Sequence, residues 1–267
     1  MWCRSPVNEK AVIPSLFVDA AKRTADSWHP VLLSGLSALH AADAAYLPAL
    51  SNETFLPTQG RLFAAFNQPL EAVRYVLVGE GPYPREESAT GFCFMDGAVR
   101  ELWSAQGLSK RVNRATSLRN FMKMLMVADG LLKPDQTTGE AVARVAVNAL
   151  SPGSSFIQTL PDLQSKLIGQ GFLLLNAALV FRPHVPPIKE ARAWRPFLEV
   201  VLEALASRPV QPAPTLVLWG KIAQWLEDLP ALSAFPKAVA EHPYNLSFIQ
   251  NPDMQRLFGA MGLLRAK

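Results

Sequence analysis

The residues best suited to chemistry stand where short apolar runs stop. Tyr75-Val76-Leu77-Val78 gives way to Gly79-Glu80-Gly81-Pro82-Tyr83, and Phe172-Leu173-Leu174-Leu175 ends at Asn176. Leu216-Val217-Leu218-Trp219 ends at Gly220, and Ala238-Val239-Ala240 ends at Glu241-His242-Pro243. A carboxamide offers a donor and an acceptor side by side, which suits recognition of a polar edge. An imidazole can donate or accept near neutral pH. Metal chemistry is not expected. The two cysteines, Cys3 and Cys93, cannot build a disulfide framework, a four-cysteine zinc site or a four-cysteine iron–sulfur cluster. His29, His40, His184 and His242 show no paired-ligand spacing. The sequence therefore predicts no metal and no other cofactor.

These residues need elements to hold them. Continuous apolar runs bounded by glycine or proline read as strands buried on both faces. Between them lie helical patterns at about 117–129, 139–150, 161–169 and 191–206. The first ~70 residues read as helices with loops, through Ala11–Ala21, Pro30–Ala45 and Gly60–Phe66. A last short helix follows Asn251-Pro252, with Asn251 as its cap. Strands alternating with helices predict an α/β fold, a three-layer α/β/α sandwich around a four-stranded parallel sheet. In such a sheet ligands bind beyond the carboxyl ends of the strands. Those ends are the positions named above.

The chain has 267 residues, and one domain spanning 1–267 is expected, its helical part covering about 1–70. With 49% hydrophobic and 18% charged residues, the composition is that of a globular protein. No apolar run is long enough to span a bilayer, and the opening MWCRSPVNEK lacks the apolar core of a secretory signal. A cytoplasmic monomer without membrane contact is the expectation. The formal charge is +4. It is concentrated locally, because Arg100, Lys110, Arg111, Arg114, Arg119 and Lys123 share their stretch with only Glu101. That stretch suits either a phosphate backbone or plain solvent.

Gly79-Glu80-Gly81-Pro82-Tyr83-Pro84, continuing to Gly91-Phe92-Cys93-Phe94, resembles the water-activating loop of family-one uracil-DNA glycosylases, GQDPYH followed by GLAFS. Arg61-Leu62-Phe63-Ala64-Ala65-Phe66 resembles the IFNAF lead-in, and Ser117-Leu118-Arg119-Asn120 the PPSLxN helix start. Leu173-Leu174-Leu175-Asn176 matches LLLN, and Arg182 to Trp194 keeps the spacing of the R…GW segment. Leu216–Gly220 resembles FLLWG, and His242-Pro243 with Leu246-Ser247 resembles HPSPLS. The matches run in the family's order over roughly residues 28–258.

The resemblance implies DNA as partner and excision of a flipped uracil or related damaged base, a reaction of base-excision repair. Such chemistry needs the base extruded, read on its edge and face, and expelled as an anion. Asn176 would bond the pyrimidine edge, and Phe94 would stack on the ring. Tyr83 would stand against C5 and exclude a methyl, with Gly79 and Gly81 in the loop beside the base. His242 would donate to the leaving base. Leu246 would fill the space left in the helix, and Ser117 and Ser247 would grip phosphates. Each also has a plain structural reading: turn capping for Asn176 and the serines, core packing for Phe94, a filled turn for Tyr83, a backbone-anchored strand end for His242.

The departures from the pattern carry weight. Gly81 stands where the family has its catalytic aspartate, and Pro84 where it has a histidine. Tyr244-Asn245 replaces Ser-Pro, and Ile188 occupies the place of another gripping serine. Glu80 replaces a glutamine and is a candidate for the missing charge, although an extended backbone would aim it to the opposite side. Glu86, Glu87 and Asp96 are further candidates. The Glu80-Gly81 step resembles the GEAPG loop of family-four enzymes, whose four-cysteine cluster this chain cannot make. Three readings stay open: a slow glycosylase, a DNA- or nucleobase-binding module that does not cleave, and an interaction protein using the same cleft.

Overall fold

A computed structural model describes residues 13–209, 212–226 and 229–266. The chain runs α1 (Ser15–Ala21), α2 (His29–Ala42), α3 (Tyr46–Ser51), β1 (Tyr75–Gly79), β2 (Trp103–Ser104), β3 (Gly107–Leu108), α4 (Lys110–Arg114) and α5 (Thr116–Ala128). It continues through α6 (Gly139–Ala149), α7 (Leu160–Gly169), β4 (Phe172–Asn176), α8 (Pro187–Ala206), β5 (Thr215–Trp219), α9 (Lys221–Leu226), β6 (Lys237–Ala240) and α10 (Pro252–Gly259). The main sheet has four strands in the order β4-β1-β5-β6, and every pairing is parallel.

Alternation along the strands sorts the core into two layers, because successive side chains leave a strand on opposite faces. Val76, Val78, Leu173, Leu175, Leu216 and Leu218 pack with α1, α2, α3, α8 and α9. Leu77, Phe172, Leu174, Val217 and Trp219 pack with α5, α6, α7 and α10. The expected three-layer α/β/α sandwich is the observed one. The N-terminal helices share their core with α8 and one face of the sheet.

Several boundaries differ from the sequence reading. The pattern expected over 191–206 starts at Pro187, whose fixed φ suits the first turn of a helix. The pattern over 117–129 is α5, Thr116–Ala128, and a separate turn of helix, α4, precedes it unexpectedly. Ser117 thus lies inside the first turn and does not precede the helix. Residues 61–67 form a 3-10 segment rather than an α-helix, interrupted by non-helical angles at Phe63 and Phe66. The pattern read from Ala11 begins as helix at Ser15, with residues 11 and 12 outside the described residues. The hairpin of β2 and β3 was not expected, its strands being two residues each. The α10 cap is as read, since the Asn251 side chain accepts from the Asp253 and Met254 N–H groups.

A buried ionic knot fastens α8 to the N-terminal helices. The Arg182 guanidinium donates to Glu190 at 2.6 Å and to Glu53 at 3.1 Å. The Tyr46 hydroxyl donates to the other Glu190 oxygen at 2.6 Å. Glu190 is only 2% exposed, so its charge depends on these donors. Glu190→Gln leaves Arg182 with Glu53 alone and is expected to cost about 3 kcal/mol, the low end for a broken buried pair. The check is a denaturant midpoint at unchanged m-value. A shift of less than ~0.5 kcal/mol, the scatter of ordinary surface changes, would show the knot contributes nothing.

Candidate active site

Parallel strands that start level also end level, and here their ends converge. Gly79 is paired with Asn176, and Trp219 with Ala240. The chain passes from β1 to β4 on one side and returns to β5 on the other, so the strand order reverses beside β1. A crevice opens at such a reversal. It holds a cavity of about 260 Å³ lined by Gly79, Glu80, Gly81, Tyr83, Phe94, Ser117, Asn176, Trp219, Ile222 and His242.

The loop after β1 is stitched to the segment after β4. Ala177 N–H donates to Gly79 O at 2.8 Å, and Ala178 N–H to Glu80 O at 3.1 Å. A β-carbon at Gly79 would lie 2.8 Å from both Asn176 Oδ1 and Cys93 Cβ, so only glycine fits. Asn176 is 3% exposed, and its Oδ1 has no hydrogen-bond partner. A turn cap would bond the backbone, and this oxygen does not. A buried acceptor left open at the wall of a cavity is poised for a ligand's N–H.

Phe94 adopts φ of 65°, the left-handed region, which costs a non-glycine residue energy and clusters at functional sites. Its ring meets Phe121 and Trp219 edge-on, each with centroids 5.3 Å apart. That brace leaves the ring held firmly at the cavity wall. Tyr83 donates its hydroxyl to Phe94 O at 3.4 Å, and burial, helped by Asp96, pushes its phenol well above the ordinary value. It stays neutral and lines the cavity.

His242 stands exposed at the rim. Its Nδ1 accepts from Tyr244 N–H at 3.1 Å, so the neutral ring carries its proton on Nε2. Partial desolvation pushes its pKa below the ordinary histidine value, against a smaller upward pull from Glu80. The ring is therefore a neutral donor near pH 7. Gly220 makes room for it, because a β-carbon there would lie 2.8 Å from His242 Cβ.

Glu80 lines the cavity and also the adjoining cleft with Ile188 and Trp225. It stands on the ridge between them, close enough for its charge to act on His242. The other candidate carboxylates lie elsewhere. Glu86 accepts from Thr58 at 2.9 Å, and Glu87 and Asp96 flank Arg85. Gly81 contributes no side chain, although a β-carbon there would meet Ala178 at an ordinary 3.7 Å.

Leu246 and Ser247 fall outside the cavity, on the turn that follows His242. Leu246 is 68% exposed, and the Ser247 hydroxyl is bonded to Glu241. Burial is the largest single influence on that carboxyl and raises its pKa, but its hydrogen bonds, from Ser247, the backbone and Asn251, together outweigh burial and hold it below the usual range. The sequence assigned no role to Asn120, which proves to hold this turn. It is wholly buried and donates Nδ2–H to Pro243 O at 2.8 Å and to Tyr244 O at 3.3 Å. Arg119 donates to its Oδ1 at 3.3 Å. Asn120 thus fixes the Tyr244 peptides, and the Tyr244 N–H fixes the His242 ring.

Titration of His242 by NMR should show an Nε2–H tautomer and a pKa below about 6.5, the unperturbed value. Asn120→Ala should free the ring to solvent and move that pKa up toward 6.5. Identical titrations of the two proteins would remove Asn120 from the path to His242.

Comparison with known proteins fits this geometry. The chain is 30% identical over 225 residues to the uracil-DNA glycosylase of Corynebacterium glutamicum, covering 83% of this chain and 80% of that one. It is 29% identical over 197 residues to uracil-DNA glycosylase 1 of Streptomyces avermitilis, covering 74% and 70%. Among solved structures, the UNG of Nitratifractor salsuginis superposes with a TM-score of 0.83 at 39% identity, over 93% of this chain and 95% of that one. Mimivirus uracil-DNA glycosylase, at 16% identity and a TM-score of 0.53 over 86% and 73%, shares the fold. No protein-family model matches the chain. With identity of this extent over most of both chains, the chain belongs to the uracil-DNA glycosylase family of DNA-repair N-glycosyl hydrolases.

Proposed function

We propose that the chain takes a flipped uracil, or a related damaged base, into the strand-end cavity and hydrolyses its N-glycosidic bond slowly. The observation that carries this reading is the open Asn176 Oδ1, buried in the same cavity that Phe94, Tyr83 and His242 line. Uracil presents an N–H flanked by two carbonyls, and a carboxamide with both donor and acceptor free complements that edge. Phe94 provides the stacking face. Tyr83 blocks the C5 side, where a steric wall rejects a methyl better than the ~1–3 kcal/mol of an apolar pocket.

The bond breaks with electrons leaving toward the base and cationic character growing on the sugar. His242, neutral and with Nε2–H outward, donates to the oxygen on which negative charge gathers. Glu80 supplies the negative charge facing the sugar, a duty it serves from the ridge rather than from beneath. With Gly81 no carboxylate orients the attacking water, which accounts for the slowness. Leu246, exposed on its turn, is suited to entering the vacated space in DNA, and Ser117 lies at a helix start where a phosphate is welcome. Ser247 would have to exchange its Glu241 bond for a phosphate.

The test is the release of alkali-labile sites from uracil-containing single- and double-stranded oligonucleotides. Asn176→Ala and His242→Ala should each lower the rate 10²–10³-fold, as loss of one preorganised electrostatic contact does. Uracil-DNA bound by the wild type without any product would establish the binding module instead.

Gly81→Asp is expected to raise the rate by on the order of 10², because the backbone accepts a β-carbon there and the new carboxylate would supply the group that orients the attacking water. Unchanged cleavage by a folded Gly81→Asp protein that binds uracil-DNA would show that position 81 does not face the water.

A further inference from the structure

The basic stretch noted in the sequence is not absorbed by the cavity. The short helix α4, Lys110–Arg114, is pinned by one buried residue, Val112, and capped by Ser109, whose side chain accepts from the Val112 N–H. Lys110, Arg111 and Arg114 are all left exposed. Arg111 and Arg114 line a second cleft of about 370 Å³ with Arg85, Glu87 and Asp96. Both carboxylates of that cleft are engaged by Arg85, at 3.9 Å from Glu87 and 3.6 Å from Asp96. Arg111 spends one guanidinium N–H on Ala98 O. Among the described residues no carboxylate pairs with Arg111 or Arg114. The other exposed arginines of helices α6 and α10 do find partners, Arg144 with Glu140 and Arg256 with Asp253, each at 3.1 Å.

This cleft continues from the base cavity along two chain segments. Tyr83 lines the cavity and Arg85, two residues on, lines the cleft. Ser117 lines the cavity and Ala115, two residues back, lines the cleft. We infer that Arg111 and Arg114 form a phosphate ledge, holding the backbone of the DNA strand on the Tyr83–Ser117 side of the flipped nucleotide. A guanidinium fork matches phosphate oxygens, and a bound strand would release counterions there. The ledge also offers a physical substitute for the gripping serines the sequence lacks, in whose places Tyr244 and Ile188 stand. The inference rests on the proposed glycosylase reading for its orientation, not for its charge.

The experiment measures affinity for a uracil-free thymidine oligonucleotide across a salt series, using the full chain. Arg111→Gln/Arg114→Gln should flatten the slope of log K against log salt by about 1.4, or ~0.7 per lost single-strand phosphate contact. Arg114→Gln alone should flatten it by about half of that, which guards against misfolding of the double variant. The charge-matched control Arg144→Gln/Arg256→Gln should leave the slope as in the wild type. A slope equal to the control's overturns the ledge, even where uracil excision proceeds. A flattened slope in a protein that excises no uracil upholds the ledge and removes the glycosylase reading alone.

Discussion

Asn176 and Gly79 face each other across the β4–β1 pairing, and no β-carbon fits between the glycine and its neighbours. That close approach sets the whole site. It lets the loop after β1 run beside the segment after β4, with Ala177 and Ala178 donating to Gly79 and Glu80. It brings Cys93 against the strand, where its N–H donates to Leu174 O at 3.0 Å, and so fixes the residue that follows, Phe94. A side chain at 79 would force these apart. The base-sized cavity exists because two strands end level and one of them ends in nothing but hydrogen.

The same economy governs the opposite wall. Gly220 gives His242 its space, and a chain of polar contacts from Arg119 through Asn120 to the Tyr244 backbone fixes its ring. The result is an imidazole that keeps one definite tautomer. Fixed dipoles need no reorganisation when charge develops, which is why a neutral, oriented N–H can assist a leaving anion. A freely turning ring at the rim would be worth far less. Asn120 and Gly220 are thus positioning residues in the proposed reaction, though neither touches the cavity's contents.

Much of this was legible in the sequence where function and local chain chemistry coincide. Three strands, β1, β4 and β5, showed themselves because burial on both faces demands unbroken apolar runs. The edge strand β6 was read the same way from Ala238-Val239-Ala240, although Val239 is half exposed. The strand ends then named Asn176 and His242. Asn251-Pro252 announced α10 because capping is local. Asn120 was not legible as an anchor, since its partners lie 123 and 124 residues away and no periodicity records them. The β2–β3 hairpin escaped for want of length, and the α4–α5 break because Ala115 carries no breaker's chemistry. The direction of the Glu80 side chain is a different case. Alternation along an extended strand predicts its direction only while the strand lasts, and β1 ends at Gly79.

Placing the negative charge at residue 80 rather than 81 changes more than the site's distance from a sugar. The Glu80 carboxylate pulls the His242 pKa up while desolvation pushes it down, and desolvation is the larger of the two. In the proposed complex, DNA would cover the rim and remove water from both groups. Coulomb attraction and the desolvation penalty would then grow together as the local dielectric falls. Positive charge growing on the sugar would repel a protonated ring, so in the proposed complex the balance would favour the neutral one. One carboxylate thereby serves the sugar at the moment when it is least needed by the imidazole. What it cannot also do is orient water from the far side, and that division of labour follows directly from the hydrogen atom at Gly81.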